Sequence, residues 1–163
     1  MYTLDELNKM SDVQFTDVLG DIFEKSPWVA QLAAEARPYV SIQALYDQMV
    51  AIVKRATYNQ QLQLIKSHPN LGERVQMSEL STKEQQQAGL KSLSEEEFID
   101  FLNANQIYME KFEFPFIIAV RGKSKDEIYQ AMLARLEHDQ ETEFQTALEQ
   151  IYAIAKFRLE EIF

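Results

Sequence analysis

The sequence predicts an all-α protein: a single-domain helical bundle of about eight helices over residues 1–163, with one short extended segment. Apolar residues recur at the spacing of a helix face along most of the chain, and Ser/Thr-x-x-Glu capping boxes mark several helix starts. Only four glycines and four prolines occur in 163 residues, near element boundaries or in turns. The sequence contains no repeat, low-complexity tract or flexible linker, so one domain of ordinary size is expected.

Capping signals predict where the first helices begin. Four capping boxes are present, at Thr3–Glu6, Ser81–Glu84, Ser94–Glu97 and Ser124–Glu127. Ser11 is expected to cap a helix whose apolar face comprises Phe15, Val18, Leu19, Ile22 and Phe23. Ser26 followed by Pro27 predicts the next helix start, and Pro38 predicts that this helix stops at Arg37.

Apolar periodicity predicts the remaining helices. Ser41 opens a helix with Leu45, Met49, Ile52 and Val53 inward, and a shorter helix covers Tyr58 to about Ser67. The segment from Ser94 to Phe112 turns one stripe inward, made of Phe98, Phe101, Leu102, Asn105 and Tyr108. The last helix is expected from about Asp139 to Ile162, with inward Phe144, Leu148, Ile151, Ala155, Leu159 and Ile162.

Residues 114–120 depart from the helical pattern. The run Phe114-Pro115-Phe116-Ile117-Ile118-Ala119-Val120 is apolar, rich in β-branched and aromatic residues, and too short for a helix of its own, so it predicts a buried extended segment. Buried backbone N–H and C=O groups need partners, and no strand partner is evident. A bound ligand is one candidate partner; side chains or water in an ordinary core are the other.

Composition excludes several classes of function. The formal net charge is −10, which disfavours nucleic acid as a partner and means that a pocket for an anionic substrate must carry its own cation. No apolar run approaches the roughly 20 residues that a membrane span needs. The acidic amino terminus lacks the features of a signal peptide, and there are no cysteines. We therefore expect a cytoplasmic protein.

His68 is the first candidate catalytic residue. Pro69 ends the preceding helix and leaves the imidazole at a helix-to-loop junction, where it could transfer a proton near neutral pH. The alternative is that His68 caps the helix carboxyl end, where its positive charge favours the helix dipole. Ser81 and Gln85 share a helix face with Glu84 close by, which indicates either part of a site or a simple capping box.

Arg158 is the candidate cation. It falls on the same helical arc as Ile151, Ala155 and Ile162, and a guanidinium on an apolar face is costly unless it is paired or hydrogen-bonded. It could bind an anionic substrate, form a structural ion pair, or extend to the surface.

A metal site is not expected. The chain has only two histidines, on distant elements, and no His-Glu-x-x-His pattern. It has no phosphate-binding glycine motif and no serine-nucleophile signature either.

Five motifs in order resemble the 2-oxo-4-hydroxy-4-carboxy-5-ureidoimidazoline (OHCU) decarboxylase family over nearly the whole chain. They are Phe23-Glu24-Lys25-Ser26-Pro27-Trp28-Val29-Ala30, Arg37-Pro38, His68-Pro69-x-Leu71-Gly72, Ser81-x-x-Glu84-Gln85-x-x-Ala88-Gly89-Leu90 and Asn105-x-x-Tyr108-x-x-Lys111-Phe112-x-Phe114-Pro115-Phe116, and Arg158-Leu159 follow in the last helix. Many relatives have glycine at the position of Glu113 and asparagine near His138, and these are the two departures.

The resemblance implies an all-α homodimer that decarboxylates the small-molecule ureide OHCU to S-allantoin in urate breakdown, without a cofactor. It implies that His68 is the proton donor, that Glu84 is its acidic partner, and that the substrate-binding positions are Pro69, Ser81, Gln85, Phe116, Ile117, Ile118, Ala119, Val120 and Arg158. The backbone of residues 116–120 is the part of that segment expected to meet the ligand. Two alternatives stay open: a paralogue that uses another ureide, and a non-enzymatic helical interaction module.

Overall fold

The structure is a computed structural model, and it describes residues 1–70 and 94–163. This part of the chain contains eight α-helices: α1 (Leu4–Lys9), α2 (Asp12–Leu19), α3 (Trp28–Ala34), α4 (Ile42–Arg55), α5 (Tyr58–Lys66), α6 (Glu95–Phe112), α7 (Lys125–Arg135) and α8 (Gln140–Ile162). No strand occurs in the described ranges. The predicted all-α class is confirmed. None of these eight helices has the length and apolar character that crossing a bilayer requires.

The chain divides into two compact units. The first unit comprises Met1–Ser67 and Tyr152–Phe163, and the second comprises His68–Ile151. The first unit therefore contains α1 to α5 and the end of α8, whereas the second contains α6, α7 and the beginning of α8.

Side-chain caps begin most of the helices, as the sequence predicts. Complete capping boxes are present at the predicted positions Thr3, Ser94 and Ser124, and Ser41 caps α4 through the Ala44 N–H. Ser11 and Thr57 form two further boxes in which glutamine takes the place of glutamate. The predicted box at Ser81 lies outside the described residues.

Two helix boundaries in the first unit differ from the prediction. Helix α2 ends at Leu19, so Ile22 and Phe23 are buried in the turn that follows rather than on the helix face. The Ile22 N–H binds the Leu19 carbonyl at 3.2 Å, and Gly20, a poor helix former, stands at the end of the helix.

Helix α3 begins at Trp28 and ends at Ala34, three residues before Arg37. The predicted Ser26 cap is wrong because the Ser26 hydroxyl instead donates to the Glu24 carbonyl at 2.9 Å. After Ala34 the backbone N–H groups of residues 35 and 36 bind carbonyls three residues back rather than four, and Arg37 Nε donates to the Ala34 carbonyl at 2.9 Å.

The core of the first unit contains the apolar residues expected of α4, with Leu45, Met49 and Val53 fully buried. Arg37 contacts the ends of three helices beside this core, α1, α2 and α3. Its Nη1 donates to the carbonyls of Leu7 and Met10 in and after α1, its Nη2 pairs with Asp12, and its guanidinium lies over the Phe15 ring.

The core of the second unit is aromatic. Tyr108 on α6 packs against the rings of Phe112, Phe114 and Phe116, with ring centroids 4.7 to 6.0 Å apart. Residues 114–120 are non-helical and all buried, as predicted. In the stripe predicted for α6, Phe101, Asn105 and Tyr108 are buried, but Leu102 is exposed.

The turn from α6 into the extended segment is made by Glu113. This residue caps α6 in the left-handed conformation, with φ 60° and ψ 26°, and its N–H binds the Met109 carbonyl at 2.9 Å. Only glycine adopts this conformation without steric cost, which explains why glycine suits this position.

We predict that Glu113→Gly raises the free energy of unfolding by about 0.5–1 kcal/mol. The left-handed conformation costs an L-residue on the order of 1–2 kcal/mol, and glycine's greater freedom in the unfolded chain offsets part of the gain. Urea denaturation measures the change. The matched control is Glu110→Gly, at an exposed position inside α6, which should lose about 1 kcal/mol. Equal losses in both variants would contradict the explanation.

Candidate functional site

The predicted site residues fall into three groups. His68, Pro69 and residues 116–120 belong to the second unit, and Arg158 belongs to the first. Ser81, Glu84 and Gln85 lie outside the described residues. The roles of all these residues therefore stay predictions.

His68 lies directly after the helix that was expected to end there. Helix α5 ends at Lys66, the Ser67 N–H after it donates to the Gln63 and Leu64 carbonyls, and His68 follows with only 7% of its surface exposed. The imidazole is therefore held in a protein environment rather than in bulk solvent. Burial and a neighbouring proline limit its motion, which suits a group that must deliver a proton in one direction.

Side chains bind two backbone groups of the extended segment. The Ala119 N–H donates to Oε1 of Gln150 on α8 at 2.9 Å, and the Ile117 carbonyl accepts from Nη1 of Arg135 on α7 at 2.6 Å. These contacts match one of the two partners expected from the sequence, namely side chains that meet the buried backbone. That a bound ligand meets other backbone N–H and C=O groups of the segment stays a prediction.

Arg135 belongs to a buried ionic cluster with Glu143, which is 0% exposed. Glu143 Oε1 accepts from Arg135 Nε at 2.7 Å and from the Tyr108 hydroxyl at 2.6 Å, and Oε2 accepts from His138 Nδ1 at 2.9 Å. The Arg135 guanidinium also lies 4.3 Å from the centre of the Phe116 ring. Each Glu143 oxygen thus has a partner, as a buried carboxylate requires.

Tyr108 contributes to this cluster as a neutral donor. Burial raises the pKa of its hydroxyl well above the ordinary value, and the hydrogen bond to Glu143 raises the pKa further. The phenol therefore keeps its proton, and keeps donating it to the carboxylate, throughout the physiological pH range.

In the first unit, Arg158 forms a buried ion pair with Glu24. Arg158 is 1% exposed and Glu24 is 2% exposed, and Nη2 donates to Glu24 Oε2 at 2.8 Å. Nη1 donates to the Asp21 carbonyl at 3.0 Å. Inward placement of Arg158 agrees with the helical arc predicted for it. The contact with Glu24 matches the structural ion pair that was one of the alternatives, and the substrate-binding role stays a prediction.

Sequence reasoning assigned no role to Arg135, Glu143, Gln150 or Glu24. The pattern that singled out Arg158, a charged residue on the apolar face of a helix, also occurs at Arg135 and Glu143. Arg135 lies three residues after Met132 on the buried face of α7, and Glu143 lies four residues before buried Ala147 on α8. No comparable signal marks Gln150, because a half-buried glutamine is ordinary on a helix.

Within residues 1–70 and 94–163, no group of three or more His, Cys, Asp or Glu side chains could hold a metal ion.

The structure thus contains a buried histidine after α5, a buried non-helical segment and an inward arginine on the last helix. The sequence that forms them matches a known family. The family model for OHCU decarboxylase matches residues 8–160. The chain belongs to the OHCU decarboxylase family, as the sequence motifs indicated.

Three proteins illustrate the similarity. The chain is 51% identical, over 99% of its length, to the "Uric acid degradation bifunctional protein PucL" of Bacillus subtilis, of which it spans 33%. It is 43% identical to the 2-oxo-4-hydroxy-4-carboxy-5-ureidoimidazoline decarboxylase of Haloferax volcanii, with 99% of this chain and 96% of that protein covered. Among solved structures it resembles (S)-allantoin synthase, with 30% identity, a TM-score of 0.81, and coverage of 99% of this chain and 54% of that one.

The chain therefore spans about a third of the length of the two bifunctional Bacillus relatives that it matches.

We predict that Glu24→Gln lowers the free energy of unfolding by about 3 kcal/mol, because the buried Arg158 guanidinium loses the carboxylate that compensates its charge. Thermal and urea denaturation measure the loss. The control is Asp21→Asn, since the exposed Asp21 side chain changes while the carbonyl that binds Arg158 remains. That variant should stay within about 0.5 kcal/mol of the parent. Equal stability of Glu24→Gln and the parent would show that the pair contributes nothing.

Proposed function

We propose that this chain is a carboxy-lyase that decarboxylates OHCU to S-allantoin in urate breakdown, stereospecifically and without a cofactor. The observation that carries the proposal is the family match over residues 8–160. A relative of nearly the same length, from Haloferax volcanii, bears the name of this activity, and a bifunctional Bacillus relative is named for uric acid degradation.

The chemistry of OHCU makes a cofactor unnecessary. The molecule carries a carboxylate on a ring carbon next to a conjugated, nitrogen-rich ring, so the electrons left by carbon dioxide can be delocalised. The protein then has to hold the ring, stabilise the developing negative charge, and deliver one proton to one face.

His68 is the proposed proton donor and Glu84 its acidic partner. A neighbouring carboxylate favours the imidazolium form that can donate, and it can orient the ring. Burial of His68 supports this assignment, because a general acid in a protein environment is shielded from competing proton exchange with solvent. Ser81, Gln85 and Pro69 are proposed to contact the substrate.

Arg158 and the backbone of residues 116–120 are proposed to bind the anionic and polar groups of the substrate. In a chain of net charge −10, an anionic substrate needs a local cation, and Arg158 has the charge and geometry for a carboxylate. Its pairing with Glu24 fixes the guanidinium but also offsets part of its charge. Hydrogen-bond donation is therefore its more important contribution, and backbone N–H groups supply the rest.

We further propose that the protein acts in the cytoplasm as a homodimer, as the family resemblance implies. Each chain has a mass of 19.0 kDa. Light scattering on a size-exclusion column should accordingly report about twice that mass, and a single-chain mass at micromolar concentration would refute the dimer.

The decisive experiment is turnover of freshly generated OHCU, made from urate with the two upstream enzymes and followed by circular dichroism. Rapid appearance of the S-allantoin signal is expected. His68→Ala should lower kcat on the order of 100- to 10,000-fold while the protein stays folded, because the general acid is lost.

The matched control is Lys66→Ala, an exposed change two residues earlier in the last turn of α5, which should leave turnover unchanged. Near-normal turnover in folded His68→Ala would refute His68 as the proton donor but not the proposed reaction. Decay of OHCU no faster than the spontaneous background in the parent protein would refute the proposed reaction and direct the search to another ureide or a binding partner.

A further inference from the structure

Described side chains bind only two of the backbone groups in the segment 116–120, the Ile117 carbonyl and the Ala119 N–H. In an extended backbone, the N–H and C=O of successive residues point to opposite sides. The two groups that side chains bind belong to Ile117 and Ala119, which are two residues apart, the spacing of groups on one side of an extended backbone. Within the described ranges 1–70 and 94–163, the N–H and C=O groups of Phe116 and Ile118 have no hydrogen-bond partner, and neither do the Ile117 N–H and the Ala119 C=O.

The two anchoring side chains come from different helices. Arg135 is the last residue of α7, and Gln150 lies near the middle of α8. Each reaches the segment with a side-chain polar atom within hydrogen-bond distance, a short 2.6 Å for the Ile117 carbonyl and 2.9 Å for the Ala119 N–H. Two fixed points, two residues apart, determine both the position and the rotation of the backbone between them.

Arg135 is itself held in place. Its Nε and Nη2 both face Glu143 Oε1, at 2.7 and 2.5 Å, which leaves Nη1 directed at the Ile117 carbonyl. The planar guanidinium has few ways to satisfy both partners at once. Glu143 therefore sets the direction of the hydrogen bond that Arg135 gives to the segment.

We infer that Gln150 and the Glu143–Arg135 pair are positioning residues for the reaction: they hold the peptide groups of Ile117 and Ala119 from one side and so present those of Phe116 and Ile118, on the other side, to the substrate. This inference rests on the proposed function, in which the segment's backbone meets the ligand. The chemistry suits a planar ureide, whose adjacent N–H and C=O groups complement the N–H and C=O groups of an extended backbone.

Gln150 gives the cleanest test, because it is half-buried and carries no charge. Gln150→Leu removes the acceptor for the Ala119 N–H, and Gln150→Glu keeps an acceptor oxygen at the same reach. The matched control is Gln145→Leu, the same substitution at an exposed position of α8. Each variant is checked by its thermal unfolding transition and compared in two measurements.

The first measurement is amide hydrogen exchange of Ala119, observed by NMR without substrate. We expect exchange to be at least about 10-fold faster in Gln150→Leu than in the parent, since loss of one hydrogen bond of about 1.4 kcal/mol corresponds to a factor of 10. Gln150→Glu and Gln145→Leu should keep the parent's protection. Equal protection of Ala119 in all four proteins would overturn the anchoring.

The second measurement is steady-state turnover of OHCU. In Gln150→Leu we expect kcat/KM to fall about 10- to 100-fold with a raised KM, because a displacement of about 1 Å in a positioning group can cost 100-fold. Partial unfolding alone would lower kcat through the amount of active protein and leave KM unchanged. Gln150→Glu should restore most of the loss, and unchanged KM and kcat in Gln150→Leu would overturn the positioning role.

Arg135→Lys tests the other anchor. Its ammonium keeps a charge beside Glu143 but cannot serve Glu143 and the Ile117 carbonyl in the fixed geometry of the fork, so KM should rise in the folded variant. An unchanged KM would exclude Arg135 from positioning.

The two proposals fail in different ways. A parent protein inactive on OHCU refutes the proposed function, and the exchange of Ala119 then decides the anchoring by itself. An active parent whose Gln150→Leu variant is equally active refutes the inference and leaves the function standing.

Discussion

The buried ion pair between Glu143 and Arg135 is the constraint that joins three elements of the second unit, α6, α7 and the start of α8. A carboxylate with no exposure loses several kcal/mol of hydration, so it persists only where charge and hydrogen bonds compensate it. Arg135, Tyr108 and His138 supply that compensation from α7, α6 and the turn before α8. Since these partners come from separate elements, satisfying one carboxylate fixes the arrangement of all of them.

The extended segment follows from the same constraint. Pro115 and the β-branched residues after it disfavour a helix, yet the segment is buried and no strand in the described residues pairs with it. Its backbone must then find other partners, and Arg135 and Gln150 provide two of them. The first unit uses arginine in a similar way, because Arg37 and Arg158 also bind backbone carbonyls next to helix ends.

Local physics determined most of what the sequence could predict. The caps at Thr3, Ser94 and Ser124 depend on residues within one turn, and the inward face of α4 depends only on periodicity, so both were predicted correctly. Two predictions were wrong. Helix α2 ends earlier because a turn follows it, in which the Ile22 N–H binds the Leu19 carbonyl. Ser26 does not cap α3 because its hydroxyl donates to the Glu24 carbonyl instead. The Glu143 cluster joins residues up to 35 apart, and no local rule pairs them. The site roles of His68 and Arg158 came from the family resemblance and stay predictions.

Stability alone does not account for the Glu143 cluster. Replacing a buried ion pair by apolar residues of similar volume is often neutral or stabilising, by about 1–4 kcal/mol. An apolar core at this position could therefore pack α6, α7 and α8 at least as well. It could not, however, bind the Ile117 carbonyl, and the segment would then keep only the Gln150 anchor. Because one anchor leaves a backbone free to rotate and two do not, the cluster is better explained by the orientation of the segment's peptide groups than by the stability of the fold.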